Sequence, residues 1–596
     1  MKGFQDNLFS CFLWCAVWIV LGSAFARSQS DSPHTPAASA SAQSENKQDS
    51  TELTSRDEPT TFKVNVKLVV VRAVVRDSSG HAVGNLRQED FQIFDKGKPQ
   101  VITQFEVEQP GTLIAKARQE SEDKSNDDPF GVTPSSPGKV PAVPERFVAY
   151  MFDDMHLEFG DLARVREAAE RHFSTLRPTD RAAIFTSSGQ TVLAFTDDRA
   201  KLHETLLRLQ PRPISAHSHD CPDISYYQAD QIVNKNDPQA TQVAIQETLG
   251  CIPKNSKGQP VEDPRTLVDN VSRVALGDGD QESRVSLLSL KKLVQMVSHM
   301  PGQRSVVLVS PGFIAPQMEF EYTDAIDRAV HSQVVINTLD ARGLYALLPF
   351  GDISYSGTAA PPPAKAFIES AAATANDDLL AILADSTGGV FFHNNNDFDE
   401  GFRRVAQAPE YSYVLGFTPQ NLKIDGSFHA LKVTLRNTQK FTLQARRGYY
   451  APKNFSDPSE QAKQEIEDAI YSQEELHSLP VKLHTQFFKV SDDNAKLVVL
   501  AHVDVQQLRF KKVEGRNDNV LTCVSAVFNR NGNMIQGTQK IVTMHLKDDT
   551  LEHKLASGLT LKTSFDVKPG SYLVRLVVRD SEAKLISAEN GTVEIR

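Results

Sequence analysis

Tryptophan and cysteine are scarce in this chain of 596 residues, and where they fall matters more than how few there are. Both tryptophans, Trp14 and Trp18, and two of the five cysteines, Cys11 and Cys15, lie within the first 26 residues. That leaves Cys221, Cys251 and Cys523, too few for a scaffold built on disulfides. Basic charge is not in excess: 64 Lys and Arg against 75 Asp and Glu give a net charge of −11, which argues against nucleic acid as a partner. Beyond the N-terminus no apolar run is long enough to cross a bilayer. Catalytic signatures are missing as well. There is no H-E-x-x-H, no G-x-S-x-G and no glycine loop to cradle a phosphate. Ser187 and Ser188 close a strand with no identifiable His and Asp to activate them. A non-enzymatic protein is therefore expected, with an uncharacterised envelope enzyme as the alternative from another class.

What is present begins with a leader. Lys2 precedes the apolar run "LFSCFLWCAVWIVLGSAFA", and Ala24 and Ala26 form an A-x-A cleavage signal, so residues 1–26 read as a secretory signal peptide. Its removal takes both tryptophans with it. The expected location is secreted or periplasmic, in the cell envelope, where a disulfide is permitted. Cys221 and Cys251 share one polar, helix-rich insertion and are expected to pair, and Cys523, on an apolar strand, to be a buried free thiol.

The length calls for several domains. Residues 27–60 are rich in Ser, Ala, Pro and charge and read as a disordered linker. Residues 61–110 alternate β-branched and polar side chains between turn signals at Ser79-Gly80 and Lys96-Gly97-Lys98-Pro99, a small β module. A polar linker follows at 111–144. From 145 to 410, strands alternate with helices, the pattern of a doubly wound α/β (Rossmann-like) sheet with helices on both faces. "RFVAYMF" is its first strand, and Leu162, Val165, Ala169, Phe173 and Leu176 form the apolar stripe of the helix that follows. Residues 411–452 read as a β extension, 453–479 as a helical connector and 480–596 as a β-sandwich.

Several separated stretches, in order, carry a resemblance: "VRDSSGHAVGNLRQEDFQIFDKGKPQ", "DRAAIFTSSGQTVLAFTDDRAKL", "SVVLVSPGF", "LDARGL", "LADSTGGVFFHNNNDF" and "YSYVLGFTP … FHALKVTLRN … ARRGYYAP". Across roughly residues 60–450 the chain resembles the secreted bacterial von Willebrand factor A-related domain proteins of the acidobacterial type. The resemblance implies a type A domain that binds another protein, and it points to the carboxyl edge of the sheet, where ligands of open α/β sheets collect. In that family a divalent ion is held there by a D-x-S-x-S loop, a threonine and a distal aspartate, oxygen donors suited to a hard cation.

Here the first loop reads "DDMHLE", and neither frame supplies two serines. From Asp153 the serine positions hold Met155 and Leu157; from Asp154 they hold His156 and Glu158. The family's "TDG" is "SPG", with Pro311 in place of the aspartate, and "RPISAHS" offers only Ser215 and Ser218 toward the threonine. The expectation is a degenerate metal-ion-dependent adhesion site with no cofactor. The alternative is weak magnesium or calcium binding by Asp153 and Asp154, in a metal-dependent adhesion protein. A capping or loop hydrogen-bond role for Asp154 ranks ahead of ligation. "NNNDFDEGF" misses a calcium loop because Gly401 falls one place late and Ala406 stands twelfth, and "DGDQES" fails at Ser283. His217, His219 and Cys221 are explained more simply by a polar insertion beside a disulfide than by a metal.

Overall fold

The computed structural model describes residues 53–58, 69–78, 81–109, 144–214, 221–344, 363–406, 411–419, 427–436, 441–451, 458–472, 475–505, 508–554 and 558–595. The expected signal peptide and nearly all of the two expected linkers lie outside them.

At the centre is a six-stranded sheet. Its strands are β1 (Arg146–Phe152), β2 (Asp180–Thr186), β3 (Val192–Thr196), β4 (Gln303–Ser310), β5 (Val334–Asp340) and β6 (Phe391–Phe392), in the order β6-β5-β4-β1-β2-β3. All pairings are parallel except β2 with β3. Every residue of β1 is buried, because alternate side chains feed two cores. Val148, Tyr150 and Phe152 join one core with α1 (Phe159–Ser174), α2 (Arg199–Leu207) and α8 (Phe398–Ala406). Phe147, Ala149 and Met151 join the other, with α5 (Pro264–Ser298), α6 (Glu319–His331) and α7 (Pro363–Thr387). A strand buried on both faces reads as a continuous apolar run, which is how "RFVAYMF" appears in the sequence.

The insertion after α2 is helical: α3 (Tyr226–Val233), α4 (Pro238–Cys251) and the first half of α5. At 35 residues α5 is about 52 Å long. Its second half packs on the sheet through Leu287, Leu290, Leu293, Val294 and Val297, and its first half carries α3 and α4 through Val268. "DGDQES" therefore lies inside a helix. Gly279 is glycine there because a Cβ would come within 2.2 Å of the Tyr226 ring. Cys221 is disulfide-bonded to Cys251, Cα to Cα 5.7 Å, and Cys523 is free and buried.

The β modules are arranged less locally than the sequence reading has them. Strand Val69–Arg76 pairs with Ser412–Phe417, and Phe91–Asp95 with Phe428–Leu435, so strands from the two segments expected as separate β modules build two facing sheets around one core containing Val71, Ile93, Tyr413 and Leu415. Leu53–Glu58, assigned to the disordered linker, is a strand paired with Met534–Leu546 of the C-terminal module. In the first case local pattern identifies the strands but not partners hundreds of residues away; in the second the polar segment carries no strand pattern of its own and is ordered by pairing with a distant strand. The C-terminal module has a seven-stranded and a three-stranded sheet, and helix Pro458–Tyr471 packs on the larger one through Ile466 and Ile470.

Within the first core the Tyr150 hydroxyl and His172 Nε2 share a hydrogen bond of 2.7 Å, and His172 stacks on Phe402. Burial, with Arg146 nearby, pushes the His172 pKa down to about 4. The folded value lies below the ordinary 6.5, so the neutral ring contributes stability that is complete above pH 6.5 and is lost as pH falls toward 4. The loss from this group is about 1.4 kcal/mol per pH unit in that window. His172→Gln, which keeps an acceptor for Tyr150, should flatten the acid limb of a urea stability profile by that slope. An unchanged limb would show that His172 does not titrate this way.

Candidate functional site

The carboxyl ends of β1, β2, β4 and β5 bring together residues that are distant in sequence. Asp153, the first residue after β1, is fully buried. Its Oδ2 accepts from Ser310 Oγ at 2.7 Å and bonds His156 Nδ1 at 2.9 Å, and its Oδ1 accepts from Ser286 Oγ at 3.0 Å. Ser310 ends β4 and itself accepts from Gly312 N–H at 3.0 Å. Gly312 sits at φ 81°, and a Cβ there would come within 2.5 Å of the Asn376 carbonyl oxygen. The Ser310-Pro311-Gly312 turn thus aims the serine hydroxyl at Asp153.

Asp154 faces elsewhere, as adjacent residues at a strand end do. Its Oδ1 accepts from Ser188 N–H at 2.9 Å and its Oδ2 from Ser188 Oγ at 2.5 Å, while its carbonyl accepts from Arg212 N–H. This is a loop hydrogen-bonding role. Asp340, at the end of β5, is clasped by Arg342, whose Nε and Nη2 each lie 2.9 Å from a carboxylate oxygen and whose Nη2 also bonds Asp377.

The helical insertion closes this edge. Three serines spaced by three on α5 each tie down a different loop: Ser283 Oγ donates to Ile314 O, Ser286 Oγ to Asp153, and Ser289 Oγ to Ser187 O. Sequence reasoning missed this row, although the signal was there, since "SRVSLLSL" places serines on a face that otherwise carries leucines. Glu282 accepts from Ile214 N–H and adds a fourth tie.

The electrostatics follow from this packing. Burial opposes ionisation of Asp153, but the His156 charge and the hydrogen bonds from His156 and Ser310 outweigh it and hold the carboxyl below the usual range. Burial likewise opposes a charged His156, and Asp153 outweighs it, so the imidazole is held above its ordinary value. His156 stacks on Phe313, ring centroids 4.6 Å apart, and its Nε2 is buried without a hydrogen-bond partner. Burial raises the Asp154 carboxyl despite the Ser188 bonds.

As arranged, these donors do not fit a divalent ion. Asp153 has both oxygens engaged by side chains from three elements, Asp154 turns toward β2, and Pro311 offers no carboxylate. A hard cation needs about six oxygens converging on one point. Among the described residues no three His, Cys, Asp or Glu side chains converge in that way. The near-miss calcium loop is a helix start: Asn395 Oδ1 accepts from Asp397 N–H and Asp397 Oδ1 from Glu400 N–H as α8 begins. Ser215, Ser218, His217 and His219 lie outside the described residues, and Cys221 is committed to its disulfide. No helix among the described residues is long and apolar enough to cross a membrane.

No family model and no curated protein matches the chain. Among solved structures, a Bacteroides uniformis β-glucuronidase shares 13% identity over 31% of this chain, which spans 19% of that protein, with a TM-score of 0.14. Human COPII-coat protein Sec24c shares 8% identity over 56% of this chain and 46% of its own, TM-score 0.18. The ArnB paralog VWA2 from Sulfolobus acidocaldarius shares 7% identity over 92% of this chain and 76% of its own, TM-score 0.17. At these scores none carries an argument about this chain, which is described as a mixed α/β protein with several sheets.

Proposed function

We propose that this chain is a non-enzymatic protein of the cell envelope or the extracellular space. Its central α/β domain, of the von Willebrand factor A-related type, binds another protein through a degenerate, metal-independent carboxyl edge. The β modules on either side act as spacers or further docking surfaces. One observation carries the metal-free part of this reading: Asp153, the residue best placed to ligate an ion, is fully buried with its charge balanced internally by His156 and its oxygens occupied by Ser286 and Ser310. The His156–Asp153 pair is of the kind that activates a nucleophile, yet His156 Nε2 meets no hydroxyl or thiol, which weighs against an envelope enzyme.

The test is a pull-down from envelope extract with the full chain, with and without EDTA, alongside calorimetric titration with magnesium, calcium and manganese. The expected outcome is a partner retained equally in both arms and no binding of any ion at about millimolar concentration, the weak end of oxygen-ligand sites. Loss of the partner in EDTA, with micromolar ion binding abolished by joint Asp153→Ala and Asp154→Ala, would replace this reading with metal-dependent adhesion.

A further inference from the structure

Among the described residues the three most exposed large apolar side chains are all phenylalanines: Phe320 at 80%, Phe159 at 75% and Phe367 at 70%. Phe159 is the first residue of α1 and Phe320 the second of α6, so both stand where helices leave the carboxyl edge of the sheet, whereas Phe367, the fifth of α7, lies beside Ile368, which packs on the helical insertion. Helices α1 and α6 lie on opposite faces of the sheet and follow the adjacent strands β1 and β4. The loops that lead into them pack on each other through His156 and Phe313.

The two helix starts share a local design. Leu157-Glu158-Phe159 and Met318-Glu319-Phe320 each bury the first residue and expose the next two. The buried residue anchors the loop, and the glutamate and phenylalanine are left to solvent side by side. Most basic groups at this edge are already engaged: Arg164 pairs with Asp161, Arg284 with Glu321, and Arg342 with Asp340 and Asp377. Glu158 and Glu319 enter no ion pair among the described residues, and Arg212 is the exposed basic residue on the β2 side of the edge. The rim is therefore aromatic and acidic together.

We propose that this rim docks a polypeptide segment of another protein in which Arg or Lys alternates with apolar side chains. A guanidinium laid over a phenylalanine face gains from the ring quadrupole and reaches the neighbouring carboxylate at the same time. The apolar residues of the segment cover the remaining ring area. An acidic rim is repelled by anionic lipid headgroups, so a protein segment fits it better than a membrane surface. The proposal rests on the protein-binding reading above and adds the chemistry of the partner.

The probe is a fluorescein-labelled peptide of about twelve residues alternating Arg and Leu, read by anisotropy against the full chain, with Glu–Leu and Arg–Ser peptides as comparisons. The Arg–Leu peptide should bind at least about tenfold more tightly than either. Paired Phe159→Ala and Phe320→Ala, or paired Glu158→Gln and Glu319→Gln, should each weaken it by about tenfold without moving the melting temperature, since all four side chains are exposed. Equal binding of the three peptides, or unchanged binding by both variants, overturns the proposal. So does co-sedimentation with phosphatidylethanolamine–phosphatidylglycerol vesicles that the Phe variant abolishes, because the rim would then be a lipid site. If the fourfold variant still retains the partner from envelope extract, this surface is wrong and the protein-binding reading stands. If the unaltered chain retains no protein, the protein-binding reading itself falls.

Discussion

Asp153→Ala should lower the free energy of unfolding by about 3–5 kcal/mol, the usual cost of removing one partner from a buried ion pair and stranding the other. His156 would be left buried without the carboxylate that favours its charge, and the hydroxyls of Ser286 and Ser310 would lose their acceptor. Asp154→Ala should cost less, about 1–3 kcal/mol, because it strands the Ser188 N–H and hydroxyl rather than a charge. The pH dependence separates this pair from His172. The His156 pKa is raised on folding, so its contribution is complete below the unfolded value near 6.5 and fades as pH rises through the raised folded value. In Asp153→Ala that alkaline decline should disappear while the acid decline from His172 remains. Urea denaturation between pH 4 and 9 measures both, and a loss below about 1 kcal/mol for Asp153→Ala, within the range of an ordinary surface substitution, would refute the hub.

The sequence shows this hub only in fragments. Asp153 and Asp154 stand out because an apolar run ends on them, and Ser310 because it closes the next buried strand, so period and strand ends are legible wherever a sheet is buried on both faces. His156 is visible as a departure from a serine pattern, but its role is not, since nothing local shows that an imidazole three residues on folds back to the same carboxylate. Ser286 comes from 133 positions away, on a helix that runs from Pro264 to Ser298. Within that helix Gly279 is a contact point for Tyr226, which no local pattern reveals. The same limit explains the β modules. Val69–Arg76 is plainly a strand by alternation, but only the assembled fold sets it against Ser412–Phe417.

The disulfide is where the helical insertion and the edge depend on each other. Cys221 and Cys251 are separated by 30 positions, and closing a loop of that length removes unfolded-chain entropy worth about 3–4 kcal/mol in the chain-entropy model. The bridge ties the start of the insertion to the end of α4. Near it, Lys365 on α7 bonds Glu247 on α4, and α5 carries α3 and α4 while supplying Ser283, Ser286 and Ser289 to the sheet. Cys221→Ser with Cys251→Ser should therefore lower stability by about 3–4 kcal/mol. It should also raise hydrogen exchange first in α3, α4 and the first half of α5, and only then in the loop of Asp153. Cys523 gives an internal control, because burial pushes its thiol pKa up to about 12 and keeps it unreactive in the native protein. In the chain from Arg27 onward, which lacks Cys11 and Cys15, thiol labelling should accordingly count no free cysteine when folded and one after denaturation without reductant. Three free thiols in the denatured protein, or exchange that rises evenly across the central sheet in the double variant, would mean that the insertion is not held as a unit by this bridge.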